Sequence, residues 1–270
     1  MPSVENVRSV SDLGLKHVEL GPFADPESAP ARGPDRREIA AVKEALASSG
    51  IRPASMHAPY NGEYDFGSLD ERARETAIGH HVRHLGYCSE LGAAYYVVHP
   101  GGLLYAKWDD ETKRAAWPHD HKFAEGLWGI NAQVISRLGD AAKDLGVEVC
   151  LENGWFNDPN FMTVGDFIGM VQGAGRDNVG ACIDTGHANI GMGVRPADLL
   201  RRVGPLVWAL HLHDNDGSGD LHLPPGRGNI DWRDVMSALG ETSYDGTLNL
   251  ELNGKGFDEG ISALRGLLGG

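Results

Sequence analysis

The stretch VGACIDTGH, at residues 179–187, begins as an apolar run and ends in two side chains that can bind a metal ion. Its first six residues, Val179–Asp184, have the composition of a strand that is buried on both faces. Asp184 closes this run and His187 follows it, so ligand-type side chains stand at the carboxyl end of a predicted strand. Six other apolar runs, bounded mainly by Gly or Asn, predict strands over Lys16–Leu20, Ile51–His57, Ala93–His99, Gly146–Glu152, Val207–His213 and Gly246–Leu252.

Segments with helical periodicity lie between these strands, and several begin with acidic residues and end at glycine, as helix caps do. They cover Ser3–Leu13, Asp35–Ser49, Leu69–Leu91, Glu111–Leu145, Val164–Val171, Pro196–Val203, Trp232–Leu239 and Gly260–Leu268. Regular alternation of strands and helices predicts parallel βαβ units and an α/β fold.

The α/β fold that fits this pattern best is a (β/α)8 TIM barrel, with its first strand missing or atypical because only seven strands can be found. A doubly wound sheet would also accommodate seven strands, but the glycine-rich phosphate turn that often marks such a sheet is absent from the sequence. Because no linker or break in composition divides the chain, we expect one domain over residues 1–270.

The composition narrows the classes of function. The 270 residues include 24 Lys and Arg against 38 Asp and Glu, for a formal net charge of −14, which disfavours tight binding to nucleic acid. No apolar run is long enough to span a bilayer, and the first residues lack a signal-peptide pattern. Three scattered cysteines are typical of a reducing compartment, so we predict a cytoplasmic protein without membrane contact, and a homo-oligomer is compatible with this composition.

Side chains that can bind metals lie at the carboxyl ends of most of the predicted strands. They are His57, His99, Glu152, Asp184, His211, His213 and Glu251. The carboxyl ends of parallel barrel strands meet at one mouth, where buried His, Asp and Glu are costly unless they bind something. Imidazoles together with carboxylates suit zinc, manganese or iron, so the sequence predicts a divalent metal site.

Other polar and aromatic residues have two interpretations from the sequence alone. Asp220 and His222 face the same way if their loop is extended, but a solvated Asp/Gly/Ser turn fits the spacing equally well. Trp155 fits substrate stacking or packing, and Arg227 fits an exposed loop residue better than a substrate ligand. His80, His81 and His84 are predicted to lie on the solvated face of a helix.

The order of several short motifs resembles the xylose-isomerase-like TIM-barrel superfamily, over a region from about residue 16 to the carboxyl terminus. The motifs are SMHAPY (55–60), VVHPGG (97–102), CLENG (150–154), CIDTGH (182–187), LHLHDNDG (210–217), GDLHLPPGRGNIDW (219–232) and LNLELNG (248–254). This superfamily contains sugar phosphate isomerases and epimerases and the endonuclease IV-type apurinic-site endonucleases. The resemblance implies a TIM barrel and a metal-dependent enzyme.

Each branch of the superfamily implies its own ligand set. The isomerases and epimerases hold one metal through residues that correspond to Glu152, Asp184, His211 and Glu251. The endonuclease branch holds three zinc ions, and the matching residues are His57, His99, Glu152, Asp184, His187, His211, Asp220, His222 and Glu251. Tyr60 falls where that branch has a DNA-contacting tyrosine, and His213 stands where it has Asn, so either His211 or His213 could bind metal.

Two reactions compete on this basis. The apparent surplus of ligands favours two or three metal ions and metal-hydroxide hydrolysis of a small phosphorylated or polyhydroxylated substrate. The alternative is a one-metal sugar or sugar-phosphate isomerase or epimerase with Glu152 and Glu251 as the acid/base pair. An apurinic-site endonuclease and a non-catalytic metal-binding barrel are the weaker expectations. The residues expected to bind substrate are Tyr60, Asn153, Trp155, His213 and Arg227.

Overall fold

A computed structural model of the chain describes residues 2–23, 36–109, 114–154, 161–253 and 256–269. The helices in these residues are α1 (Val4–Asp12), α2 (Arg36–Ser49), α3 (Glu71–Leu91), α4 (His121–Lys143), α5 (Val164–Gly173), α6 (Thr185–Ile190), α7 (Pro196–Val203), α8 (Trp232–Thr242) and α9 (Phe257–Leu268). The strands are β1 (His17–Leu20), β2 (Arg52–His57), β3 (Tyr95–Val98), β4 (Lys107–Asp109), β5 (Arg114–Ala116), β6 (Glu148–Glu152), β7 (Val179–Asp184), β8 (Val207–Leu212) and β9 (Asn249–Leu250).

Seven of the strands in the described residues form one sheet in the order β1-β2-β3-β6-β7-β8-β9, while β4 and β5 form a separate antiparallel pair. Apart from that pair, the order in the sheet is the order in the chain. A doubly wound sheet would reverse its strand order at a switch point, so that alternative is excluded. The fold is α/β, and its seven sheet strands are the seven that the sequence predicts. Within the described residues, none of the helices combines the length and the apolar character needed to cross a lipid bilayer.

The chain divides into two compact units. Unit 1 comprises Met1–Leu104, Asn131–Leu151 and Ala174–Val179, and unit 2 comprises Tyr105–Ile130, Glu152–Gly173 and Gly180–Gly270. The expectation of a single domain stays a prediction.

Unit 1 is built on parallel pairing of β1 with β2, of β2 with β3, and of β3 with β6. His57 at the end of β2 lies opposite Val97 of β3, so the chain that follows each strand emerges at the same edge. Helix α3 begins at the side-chain cap of Asp70, whose carboxylate accepts from the Ala73 amide at 2.8 Å, and it ends at Gly92 with φ 79°. Such caps satisfy backbone groups that the helix itself leaves unpaired.

The prediction that the histidines of α3 lie on a solvated face is wrong, because His81 and His84 are buried. His81 Nε2 lies 2.9 Å from the carbonyl oxygen of Tyr64, which can only accept, so Nε2 carries the hydrogen. His81 Nδ1 then accepts from the Tyr96 hydroxyl at 3.0 Å. Both ring nitrogens are satisfied in the neutral form, and burial lowers the pKa of His81 to about 4.

We expect this buried imidazole to make the protein less stable in acid. Between the ordinary histidine pKa of about 6.5 and about 4, the unfolded chain binds a proton at His81 that the folded chain does not bind. The free energy of unfolding therefore falls as the pH falls through this window, by about 3 kcal/mol in total. Urea unfolding from pH 4.5 to 7.5 should show a shallower pH dependence in His81→Gln than in the wild type, whereas His17→Gln, at an exposed position of β1, should match the wild type. Equal pH dependence in all three proteins would contradict this expectation.

Unit 2 contains the strand pairs that carry most of the predicted ligands. Parallel pairing sets Asp184 of β7 opposite His211 of β8, and His211 opposite Asn249 of β9. Helix α7 begins with Pro196 at its first turn and packs against α8, which Asp231 caps through the amides of Arg233 and Asp234. The register brings side chains from successive strands to the same level of the sheet.

Candidate metal centre

Four ligand-type side chains of unit 2 converge, and we call them the four-residue group: Glu152, Asp184, His211 and Glu251. One ligand atom from each lies within 4.8 Å of the ligand atoms of the other three. Glu152 and Asp184 are the last residues of β6 and β7, and His211 is the last but one of β8. Glu251 is two residues beyond Asn249, so the strand period brings it to the face on which Asn249 lies.

The distances within the four-residue group centre on one nitrogen. His211 Nδ1 lies 3.2 Å from Glu152 Oε1, 3.1 Å from Glu251 Oε2 and 3.9 Å from Asp184 Oδ2. The side chains of Glu152, Asp184 and His211 are almost fully buried, and that of Glu251 is 34% exposed. Three carboxylates drawn together in a buried place are costly unless a cation offsets their charge. Three oxygen ligands and one imidazole therefore fit a divalent metal ion.

His187 lies next to this group and supplies positive charge. Its backbone amide donates to Asp184 Oδ1 at 2.7 Å, which starts helix α6, and its Nδ1 lies 3.1 Å from Glu152 Oε1 and 3.0 Å from the carbonyl oxygen of Asn153. Burial lowers the pKa of His187, but the charges of Asp184 and Asp220 and the contact with Glu152 outweigh burial and hold this pKa well above its ordinary value.

Asn153, which the sequence nominates for substrate binding, is buried and makes two hydrogen bonds to the backbone of Asp184. Its Nδ2 donates to the carbonyl oxygen of Asp184 at 3.1 Å, and its Oδ1 accepts from the amide of Asp184 at 2.8 Å. The amide side chain thus ties the end of β6 to the end of β7 and orients Asp184. Contact between Asn153 and a substrate stays a prediction.

A second set of ligand-type residues, the His213–Asp220–His222 cluster, also lies in unit 2. The rings of His213 and His222 are stacked, with centroids 4.1 Å apart and planes at 16°. His222 Nε2 lies 3.1 Å from Asp220 Oδ2, and His213 Nε2 lies 3.0 Å from Asp184 Oδ1. Both candidates of the His211/His213 alternative are therefore among ligand-type side chains, with His211 in the four-residue group and His213 in this cluster.

The charges in this cluster are paired. Burial lowers the pKa of His222, but its hydrogen bond to Asp220 and the charges of Asp220, Glu251 and Asp184 raise it to about 9. Burial raises the pKa of Asp220, but His187 and His222 outweigh burial and hold this pKa well below its usual range. A bound cation would replace protons on these imidazoles, since only a neutral imidazole binds metal.

The sequence assigns no role to Asp214, the residue that holds the loop carrying this cluster. Asp214 is fully buried, and its carboxylate accepts from the amides of Asn215 and Gly226 at 2.9 and 2.8 Å and from the indole nitrogen of Trp232 at 2.9 Å. A Cβ on Gly228 would lie 2.1 Å from the carbonyl oxygen of Asn215, so this loop requires glycine there. An aspartate directly after a strand, followed by a Pro- and Gly-rich loop, was the available signal.

Arg227 and Trp155 are the two remaining residues that the sequence predicts to bind substrate. Arg227 is exposed and its Nε donates to Glu259, an ion pair on the surface of unit 2. Its contact with substrate stays a prediction. Trp155 lies outside the described residues.

Unit 1 brings together His57, His99 and Tyr60. His57 Nδ1 donates to the carbonyl oxygen of Ala58 at 2.7 Å, and the Nε2 atoms of His57 and His99 lie 3.1 Å apart. The ring centroids of Tyr60 and His99 lie 4.7 Å apart. Tyr60 is 37% exposed. The two imidazole rings and the ring of Tyr60 thus lie together at the ends of β2 and β3, and the positions of both histidines at the ends of predicted strands indicate that these two meet.

The loop after His99 is held by a buried carboxylate of unit 1. Asp65 accepts from the amides of Gly67, Gly102 and Leu104 at 2.9, 2.6 and 2.9 Å. Burial raises the pKa of Asp65, although these three amides work in the opposite direction. A Cβ on Gly101 would lie 2.2 Å from the backbone of Gly67, so the two loops touch main chain to main chain.

Comparison with known proteins agrees with this arrangement of strands. The sequence profile of the xylose isomerase-like TIM barrel family matches residues 7–267. The chain belongs to this family. The resemblance in the motifs is therefore confirmed, and so is the TIM-barrel fold.

Two relatives and one solved structure illustrate the range of the family. An uncharacterized protein of Methanocaldococcus jannaschii is 28% identical over 202 residues, which are 73% of this chain and 63% of that protein, so the chain spans less than two thirds of that relative's length. A D-psicose 3-epimerase of Agrobacterium fabrum is 26% identical over 249 residues, which are 91% of this chain and 77% of the relative. The structure of a D-tagatose 3-epimerase-like protein superposes with a TM-score of 0.76 at 23% identity, over 97% of this chain and 91% of that chain, and it supports the fold alone.

Proposed function

We propose that this protein is a divalent-metal-dependent sugar epimerase or isomerase that acts on a ketose. The observation that carries the proposal is the placement of two carboxylates, Glu152 and Glu251, at 3.2 and 3.1 Å from the same nitrogen of His211. The similarity to a D-psicose 3-epimerase over 91% of the chain supports it. The one-metal alternative from the sequence thus has more support than the hydrolytic expectation.

Epimerisation next to a carbonyl group needs two groups that handle a proton. One carboxylate removes the proton from the carbon beside the ketose carbonyl, and an acid on the opposite face returns a proton to that carbon, which inverts its configuration. Glu152 and Glu251 are two carboxylates close enough to act on one carbon. A divalent cation held by the four-residue group would polarise the carbonyl and the neighbouring hydroxyl oxygen, which makes that carbon more acidic.

The surroundings of the two glutamates suit different parts of this task. Glu152 is fully buried, and its Oε1 lies 3.1 Å from His187 Nδ1 and 3.2 Å from His211 Nδ1, so we propose that it takes the proton from the substrate carbon. The side chain of Glu251 is one third exposed, which leaves it a route for exchanging its proton with solvent. We propose that His187, whose Nε2 lies 3.5 Å from Asp220 Oδ2, contacts the substrate.

Hydrolysis by two or three metal ions rested on the surplus of ligands, and the relatives reported above do not support it. One of the two relatives is uncharacterized, and the other is a D-psicose 3-epimerase. We propose one divalent cation in the four-residue group, with manganese the best match to a site rich in carboxylates and zinc or iron as the other candidates. The substrate we propose is an unphosphorylated ketose.

Metal analysis combined with an epimerase assay tests this proposal. Protein stripped with a chelator should bind about one Mn²⁺ per chain in calorimetry, and the loaded protein should interconvert D-psicose and its C3 epimer. The stripped protein should lose this activity and regain it when Mn²⁺ is added back. Failure to convert any ketose of a panel, together with hydrolysis of a phosphate ester, would overturn the proposal, and two or three bound ions would overturn the single-metal site.

A further inference from the structure

The position of Glu251 depends on unusually little strand structure. Strand β9 comprises only Asn249–Leu250, and Glu251 lies just beyond its end. One backbone contact continues the pairing with β8, because the amide of Glu251 donates to the carbonyl oxygen of Leu212 at 3.2 Å. A carboxylate that joins the four-residue group from such a short strand needs support from another part of the chain.

His222 provides two hydrogen bonds at this point. Its Nδ1 donates to the carbonyl oxygen of Glu251 at 3.0 Å, and its own carbonyl oxygen accepts from the amide of Asn253 at 3.4 Å. The side chain and main chain of one residue thus bracket the backbone of residues 251–253. This backbone is paired with Leu212 of β8 and with His222 of the loop that follows β8.

His222 is itself held in an uncommon conformation. Its φ is 47°, in the left-handed region that residues other than glycine seldom adopt. Its Nε2 lies 3.1 Å from Asp220 Oδ2, and its ring stacks on that of His213. Strained residues persist where the surrounding structure fixes them, and they are concentrated at functional sites.

We propose that His222 is a positioning residue, which sets the place of Glu251 in the four-residue group through the Nδ1 hydrogen bond. The inference deepens the proposed function, because Glu251 is one of its two proton-handling carboxylates. Asp220 and His213 act on Glu251 only through His222, since they hold the ring of His222 in place. The alternative is that His213, Asp220 and His222 bind a second cation. The test distinguishes this metal-binding role from the positioning role of His222.

A matched pair of substitutions isolates the decisive atom. The side-chain amide of Asn reaches about as far as Nδ1 of histidine, and asparagine tolerates a positive φ. The amide of Gln reaches about as far as Nε2. His222→Asn can therefore still donate to the carbonyl oxygen of Glu251, whereas His222→Gln keeps only the contact with Asp220.

The readouts are Mn²⁺ affinity and stoichiometry in calorimetry, with circular dichroism of the metal-free proteins as the check on folding. His222→Gln should bind Mn²⁺ at least about tenfold more weakly than the wild type, as is typical when a group that orients a ligand is lost. His222→Asn should stay within about threefold of the wild type, and all three proteins should bind the same number of ions. In the assay at saturating Mn²⁺, His222→Gln should lower kcat more than it raises KM.

Two results would overturn the inference. The first is an equal loss of affinity in His222→Asn and His222→Gln, because it would show that the Nδ1 contact is not what matters. The second is a further ion in the wild type that both variants lose, since that would make His222 a metal ligand. Neither result depends on the substrate. If no ketose reacts but the two variants differ as described, the proposed function fails and the role of His222 stands.

Discussion

Replacing Glu152 with glutamine should lower kcat for ketose epimerisation by a factor of about 10³, within the range that a general acid or base contributes. Glutamine keeps an oxygen that can still bind the cation, but it cannot take or return a proton. The change should therefore act on the proton transfer more than on Mn²⁺ affinity. The comparison is made at saturating Mn²⁺, with the metal content of each sample measured, so that loss of the ion is not mistaken for loss of the base.

Glu251→Gln is the matched variant, because it removes the second carboxylate of the proposed pair. If the two glutamates act on opposite faces of the reacting carbon, each variant should still exchange the proton of one epimer with deuterated solvent while failing to interconvert the two epimers. Proton NMR in D2O follows exchange and epimerisation in the same sample. A Glu152→Gln protein with more than about a tenth of the wild-type kcat would contradict the assignment of Glu152 as an acid/base group.

The strands of the seven-stranded sheet could be predicted from the sequence alone, since each is an apolar run with recognisable ends. Val179–Asp184 and Pro196–Val203 are predicted and observed over the same residues, the first as a run of buried residues and the second as a helix that starts at proline. Burial on both faces makes a strand of a parallel sheet uniformly apolar, so the pattern is readable without tertiary information.

Helix α6 and the strands β4 and β5 were not predicted, for physical reasons. Helix α6 is only six residues long and is capped by Asp184, whose side chain is also a member of the four-residue group. Because Asp184 was interpreted only as a metal ligand, its role as a helix cap was not predicted. The predicted helix Glu111–Leu145 begins instead at His121, and the antiparallel pair β4–β5 precedes it. Such a short pair of strands has too few residues for an alternation to be visible.

The sequence identifies which residue types make up the candidate site. It does not reveal most of the contacts that hold these residues in place. Histidines and carboxylates after successive strands indicate a metal site because parallel strands end at one edge. The roles of Asn153 and Asp214 arise from partners far along the chain: the Asn153 amide meets the backbone of Asp184, and the Asp214 carboxylate meets Trp232. Likewise, the burial of His81 depends on the hydroxyl of Tyr96, which helical periodicity does not reveal.

Among the described residues of unit 2, Gly186 is a backbone position that is expected to tolerate a side chain poorly. A Cβ at this residue would lie 1.8 Å from Cε1 of His213 and 2.4 Å from its Nδ1. The ring of His213 cannot move away at low cost, because it is fully buried, contacts Asp184 and stacks on His222. Gly186→Ala should therefore lower the free energy of unfolding by about 3 kcal/mol, at the upper end of the usual cost of overpacking. Urea unfolding measures this loss.

The same substitution at Gly79 is the control, since a Cβ there meets nothing within 4 Å and the residue lies inside helix α3. Gly79→Ala should raise the free energy of unfolding by up to about 1 kcal/mol, because alanine is the better helix former. A double-mutant cycle identifies the cause of the loss at Gly186. In a His213→Ala background the ring is gone, so adding Gly186→Ala should cost much less than it does in the wild type. An undiminished cost in that background would mean that the clash with His213 does not explain the need for glycine, and that the hydrogen bond from Asn215 Nδ2 to the carbonyl oxygen of Gly186, at 2.9 Å, is the contact to examine next.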